Sequence, residues 1–149
     1  MRFSVAQLWI LSVFVGSLLL ELCLIGVSYA ENAIYPQDLR DLAIRFLTIY
    51  SVPLGLIISG IFAKSGSSER VAPSRAFWTA IALAAIWNAL ILGRTVLFTF
   101  ASEDRVSTLV DFITGVAAAS SFLTVAALTY FFTTSNDKEN RDEQSDKLP

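Results

Sequence analysis

Four ionisable side chains stand inside long apolar runs of the sequence: Glu21 in the first, Arg45 in the second, Arg94 in the third and Asp111 near the start of the fourth. A charged side chain among lipid tails costs on the order of 2.5–3.5 kcal/mol by insertion scales. Each therefore needs a partner or a route to water. Two acids and two bases sum to zero, and paired charges are far less costly than isolated ones. Two chemistries follow from these residue types. One is an ion-pair and hydrogen-bond network that fixes the register of a small helix bundle. The other is a hydrated cavity or pore that opens outward, with Glu21 as its deep, titratable group. Asn88, near the middle of the third run, is a further polar residue at membrane depth, and no partner is evident at its level.

Other chemistries are excluded by what the chain lacks. It has no histidine and one cysteine, Cys23, inside an apolar run. A histidine base, a histidine pH switch and an intrachain disulfide are ruled out, and Cys23 reads as packing. No phosphate-binding glycine loop, metal-ligand cluster or Ser-His-Asp set is present. No cofactor, metal or catalytic residue is expected, and an enzyme is the least supported class. The net charge of −2 gives no basic footprint for nucleic acid.

The elements that must position these residues follow from composition. With 149 residues, 54 % hydrophobic and 16 % charged, and a mean hydropathy of +0.60, the chain has room for one domain and is too apolar for an ordinary soluble one. Four runs are long enough to span a hydrocarbon core, which takes ~20 residues. They cover 4–30, 42–63, 76–100 and 106–132, and define a four-helix transmembrane domain over 1–132. The expected fold is an all-α antiparallel bundle.

Ser4 and Gln7 fit a capping box at the start of the first run. That run is expected to be retained as a helix, although Arg2 and the ending Ser28-Tyr29-Ala30 also resemble a secretory signal. Pro36 reads as a breaker in the first connection and Asp38 as a cap for the second helix. Pro53 predicts a kink in that helix, because it removes a donor and displaces the Ile49 carbonyl. Lys64–Arg75 is a flexible basic loop, 101–105 a tight turn, and 133–149 a charged tail with too few apolar residues to bury a core, expected to be disordered.

Orientation follows from Lys and Arg beside the spans. The N-terminal segment, the second connection and the tail carry seven, against Arg40 and Arg105 in the other two connections. Both termini are therefore expected in the cytoplasm.

At ~1.5 Å of rise per residue, Arg45, Arg94 and Asp111 lie about 5, 8 and 6 Å inside the outer ends of their helices, and Glu21 about 13 Å. At 100° per residue, Arg45, Thr48, Ser51, Gly55 and Ser59 share a face of the second helix. Ser17, Glu21 and Ser28 share one of the first, and Ser107, Asp111, Thr114, Gly115 and Ala118 one of the fourth. Ala85, Ala89 and Gly93 form a small-residue stripe that lets membrane helices approach closely. These polar and small faces are expected to point inward. Trp9, Trp78 and Tyr130 read as interfacial anchors, and Trp87, near mid-bilayer, as packing.

Four short-looped helices with Glu21 in the first resemble the small multidrug resistance transporters, in which a membrane-embedded glutamate exchanges protons for cationic drugs. That resemblance implies proton-coupled transport through Glu21. The surrounding SLLLELCLIGVS departs from the family's pattern, and two intramembrane arginines would repel a cation. The layout of four spans and a hydrophilic tail is also similar to the membrane subunit of two-component anti-phage systems of the Kiwa type, and to some phage holins. The first implies a membrane sensor beside a cytoplasmic effector, the second a pore. The reading that takes in most residues is a multi-pass bacterial inner-membrane protein. It would act as a homo-oligomeric sensor, channel or scaffold subunit, with a cytoplasmic protein docking on Lys64–Arg75 and the tail.

Overall fold

The computed structural model describes residues 3–62, 74–101 and 105–145, with side chains over 5–62, 74–101 and 105–132. Four helices follow one another: α1 Phe3–Ala30, α2 Pro36–Phe62, α3 Ser74–Phe100 and α4 Val106–Ser145. Each contains a stretch long and apolar enough to cross a membrane, and the chain is a multi-pass membrane protein in architecture. The basic loop and most of the turn between α3 and α4, residues 63–73 and 102–104, lie outside the described residues.

Helix ends follow local chemistry. α1 stops in a Schellman arrangement: the Ala33 N–H donates to the Ser28 carbonyl at 2.9 Å and the Asn32 N–H to Tyr29 at 3.0 Å. Asn32 takes the left-handed conformation this needs, with φ 59°, at a position where Asn is the usual substitute for Gly. α2 begins earlier than expected. Pro36 opens the helix instead of breaking the chain before it, because the first helical residue needs no N–H. Asp38 accordingly sits in the first turn and reaches back to accept from the Tyr35 N–H at 3.3 Å, the returning half of a capping box. Gln7 reaches α2, where its amide donates to the Gly60 carbonyl at 3.3 Å; the side chain of Ser4, its partner in the expected capping box, lies outside the described residues. α2 runs unbroken through Pro53, whose ring is buried.

α4 differs most from expectation. It remains helical to Ser145, thirteen residues past the end of its apolar run at Phe132, where a disordered tail was expected. Lys, Glu, Arg and Gln in that extension are strong helix formers, so propensity and continuation from a formed helix extend it without any apolar face to bury.

The helices pack in a square: α1 lies against α2 and α3, and α4 against α2 and α3. Each buries one residue in every three or four, as Leu42, Phe46, Tyr50, Pro53 and Ile57 do on α2. Leu19, Leu20, Val52, Ile86 and Leu97 are exposed. A surface as apolar as the core would aggregate in water and is ordinary against lipid. The large buried side chains set each helix's rotation, and this overturns part of the expected inward faces. Ala85, Ala89 and Gly93 point out of the bundle, while Ala76, Ala80 and Ala84 are the small residues that α3 buries. Arg45, Thr48, Ser51, Gly55 and Ser59 on α2, and Ser107, Asp111, Thr114, Gly115 and Ala118 on α4, also face outward. On α1 the expected face holds, with Glu21 and Ser28 buried and Ser17 half-buried.

At one end of the bundle Gly60 meets α4, and a Cβ there would come within 2.5 Å of the Phe132 ring. Towards the other end, the Ser28 hydroxyl lies 3.1 Å from that of Thr99, joining α1 to α3.

Candidate functional site

At the centre of the square, three polar side chains from three helices meet. Glu21 of α1 is wholly buried, Tyr50 of α2 likewise, and Asn88 of α3 is 3 % exposed. The Tyr50 hydroxyl lies 2.9 Å from Glu21 Oε1 and 2.7 Å from Asn88 Oδ1. It spans a diagonal of the square, because α2 and α3 are not in backbone contact. Asn88 Nδ2 donates to the Ala84 carbonyl one turn back at 2.7 Å.

Counting hydrogens assigns the proton. Turning the Asn88 amide over would set its oxygen against the Ala84 carbonyl oxygen, so Nδ2 stays on Ala84 and Oδ1 must accept from Tyr50. The phenol has one hydrogen, and Asn88 takes it. The contact at Glu21 Oε1 is then a bond only if the carboxyl donates its own hydrogen to the Tyr50 oxygen. The relay runs from the Glu21 carboxylic acid to the Tyr50 hydroxyl, then the Asn88 amide, then the Ala84 carbonyl. A protonated carboxyl also removes the cost of a bare charge in this interior.

Aromatic rings close the site. Trp87 packs edge-on against Tyr50 at 5.0 Å between centroids and tilted against Phe14 at 5.8 Å, and Phe14 meets Tyr50 at 6.3 Å. Trp87 is therefore a packing residue in the core, as its depth implied. Two buried polar atoms here lack a hydrogen-bond partner among the described residues: Glu21 Oε2 and Trp87 Nε1. A partner would give the Glu21 carboxyl its second bond and the Trp87 indole its first.

The expected four-charge layer is not assembled. Among the described residues Glu21 is bonded to Tyr50 and not to Arg45, and no ion pair links Arg45 to Asp111. Arg45 borders an open recess between α2 and α4 with Asp41, Thr48 and Thr114. Asp111 is exposed. The Arg94 guanidinium lies 5.9 Å from the centre of the Phe112 ring, within cation–π range. The physical reason is rotation: burying Phe46 and Tyr50 on α2, and Leu109 and Ile113 on α4, turns Arg45 and Asp111 away from the centre. Of the expected site residues only Glu21 and Asn88 come together. Tyr50 was missed, although a phenol at mid-span, whose tip must find a partner when buried, is a legible signal. Trp9, Trp78 and Tyr130 are exposed on the outside of the bundle, as anchors would be. No protein family, curated protein or solved structure matches this chain.

Proposed function

We propose that the chain is a subunit of an oligomeric sensor in the bacterial inner membrane, with Glu21 as its proton-holding group. The observation that carries this reading is the buried Glu21–Tyr50–Asn88 relay, which ties three helices through one hydroxyl. Ionisable residues at membrane depth are functional by default, because hydrocarbon makes them costly to keep. Losing the Glu21 proton would turn the Tyr50 hydrogen towards the carboxylate and strand Asn88 Oδ1, so proton occupancy is coupled to the packing of α1, α2 and α3. The bundle is antiparallel in this reading, with both termini cytoplasmic, as the seven-to-two bias of Lys and Arg supports. The Lys64–Arg75 loop and the charged C-terminal segment then share the side where a cytoplasmic protein docks, the arrangement of a two-component defence system. The chain carries no chemistry of its own in this role and needs no cofactor.

Trp87 supplies the test, since it touches Tyr50. In a Trp9→Phe/Trp78→Phe background its fluorescence in lipid nanodiscs changes with pH, and Glu21→Gln abolishes the change without altering assembly. A Glu21→Gln protein that titrates like its parent overturns the reading.

Proton-coupled transport is the second reading, favoured by the partnerless Glu21 Oε2. It requires proton flux in liposomes that depends on an added cationic substrate, which a sensor would not give.

A further inference from the structure

We propose that the outward faces of α2 and α4 form a two-fold interface between two copies of this chain, with Arg45 of each copy paired to Asp111 of the other. This rests on the reading of the chain as an oligomeric subunit and says which surface assembles. α2 and α4 are neighbours in the square, and the recess between them puts Arg45 and Thr48 of α2 on the same side of the bundle as Thr114 of α4. Arg45 and Thr48 are exposed on α2 and Thr114 on α4, and Asp111, also exposed, stands one turn before Thr114 on its helix. Between the helices lies an open recess of about 440 Å³ lined by Asp41, Arg45, Thr48 and Thr114, among others.

Two hydroxyls on α2 are already satisfied within their own helix. Thr48 donates to the Ile44 carbonyl at 2.8 Å and Ser51 to that of Thr48 at 2.6 Å. The charges do need partners, because a base and an acid are exposed at membrane depth and no ion pair among the described residues joins them within one copy. Shape agrees with charge. A Cβ added at Gly55 or Gly115 would meet nothing within 4 Å, so the missing side chains serve no contact inside the chain and leave room for a close helix from outside. A two-fold axis presents the same patch from both sides. One symmetry operation therefore pairs both arginines with both aspartates.

The test is association in trans. Copies carrying different fluorophores are mixed in liposomes and energy transfer is read for wild type, Arg45→Glu, Asp111→Arg, their equimolar mixture and the double variant. Each single variant faces itself with like charges and is expected to weaken association at least about ten-fold. Mixing the two single variants restores it, because an Arg45→Glu copy then meets an Asp111→Arg copy and both contacts across the two-fold axis join opposite charges. Rescue by the double variant without rescue by the mixture places the pair inside one chain and overturns the interface. Wild-type transfer that neither substitution weakens also overturns it, while leaving the oligomeric reading standing. Absence of transfer in the wild type removes both, with the charges then reaching the headgroups of surrounding lipid.

Discussion

Replacing Tyr50 with Phe removes one oxygen atom and leaves the ring in place against Phe14 and Trp87, so the loss is of hydrogen bonding and not of packing. Two bonds disappear, at 2.9 Å to Glu21 and 2.7 Å to Asn88. At the average of ~0.6 kcal/mol measured for hydrogen bonds between membrane helices, they give a floor of about 1.2 kcal/mol. Both former partners stay buried, and stranding a polar group costs ~1–3 kcal/mol, which brings the expected loss to about 2–4 kcal/mol. The assay is reversible unfolding in mixed micelles with increasing denaturing detergent. A double-mutant cycle with Asn88→Ala isolates the pair, and the two losses should fall short of additive by ~0.5 kcal/mol or more, since they remove the same bond. A Tyr50→Phe protein within about 0.5 kcal/mol of wild type, the range of an ordinary surface substitution, would refute the relay.

Glu21→Gln should change stability by less than about 1 kcal/mol, because an amide N–H replaces the carboxyl hydrogen towards Tyr50, whereas Glu21→Ala strands the Tyr50 oxygen and opens a cavity at ~2 kcal/mol or more; the same detergent titration checks both. Gly60→Ala drives a methyl group into the Phe132 ring, an overpacking cost of ~1–3 kcal/mol, and Phe132→Ala in the same chain should relieve it. Asn32→Val places a β-branched residue at φ 59° and should lose ~1–2 kcal/mol in the same assay, while Asn32→Gly is tolerated. Cysteines at Gly66 and Ser135, in a Cys23→Ser background, should react with membrane-impermeant reagents only from the cytoplasmic side. Labelling from outside at either position rejects the threading.

Much of the fold is legible in the sequence, because a helix that crosses lipid is marked by length and apolar content alone. The ends of α1, α3 and the apolar part of α4 follow from that signal. The expected start of α2 falls six residues late, since Pro36 reads equally as a breaker or as a helix opener and only the bond from Tyr35 to Asp38 decides. The rotation of the helices is the part that does not follow. In a soluble bundle polar residues mark the outside, but here lipid-facing and core-facing positions are both apolar. The small or polar faces of α2, α3 and α4 therefore give no sign of direction. What turns them outward is bulk: Phe46 and Tyr50 on α2, Trp87 and Ile91 on α3, and Leu109 and Ile113 on α4 fill the centre, and the small residues are left on the surface. Glu21 stands out in the sequence by its depth. Charge alone points to an arginine as its partner, while burial is met more economically by a neutral acid and a phenol.

Infrared difference spectroscopy of the reconstituted protein measures the proton on Glu21 directly. Between wild type and Glu21→Gln at neutral pH, a carboxylic-acid C=O stretch is expected to be lost, and Tyr50→Phe is expected to shift that band. A difference spectrum that contains carboxylate bands and no carboxylic-acid band would contradict a protonated Glu21.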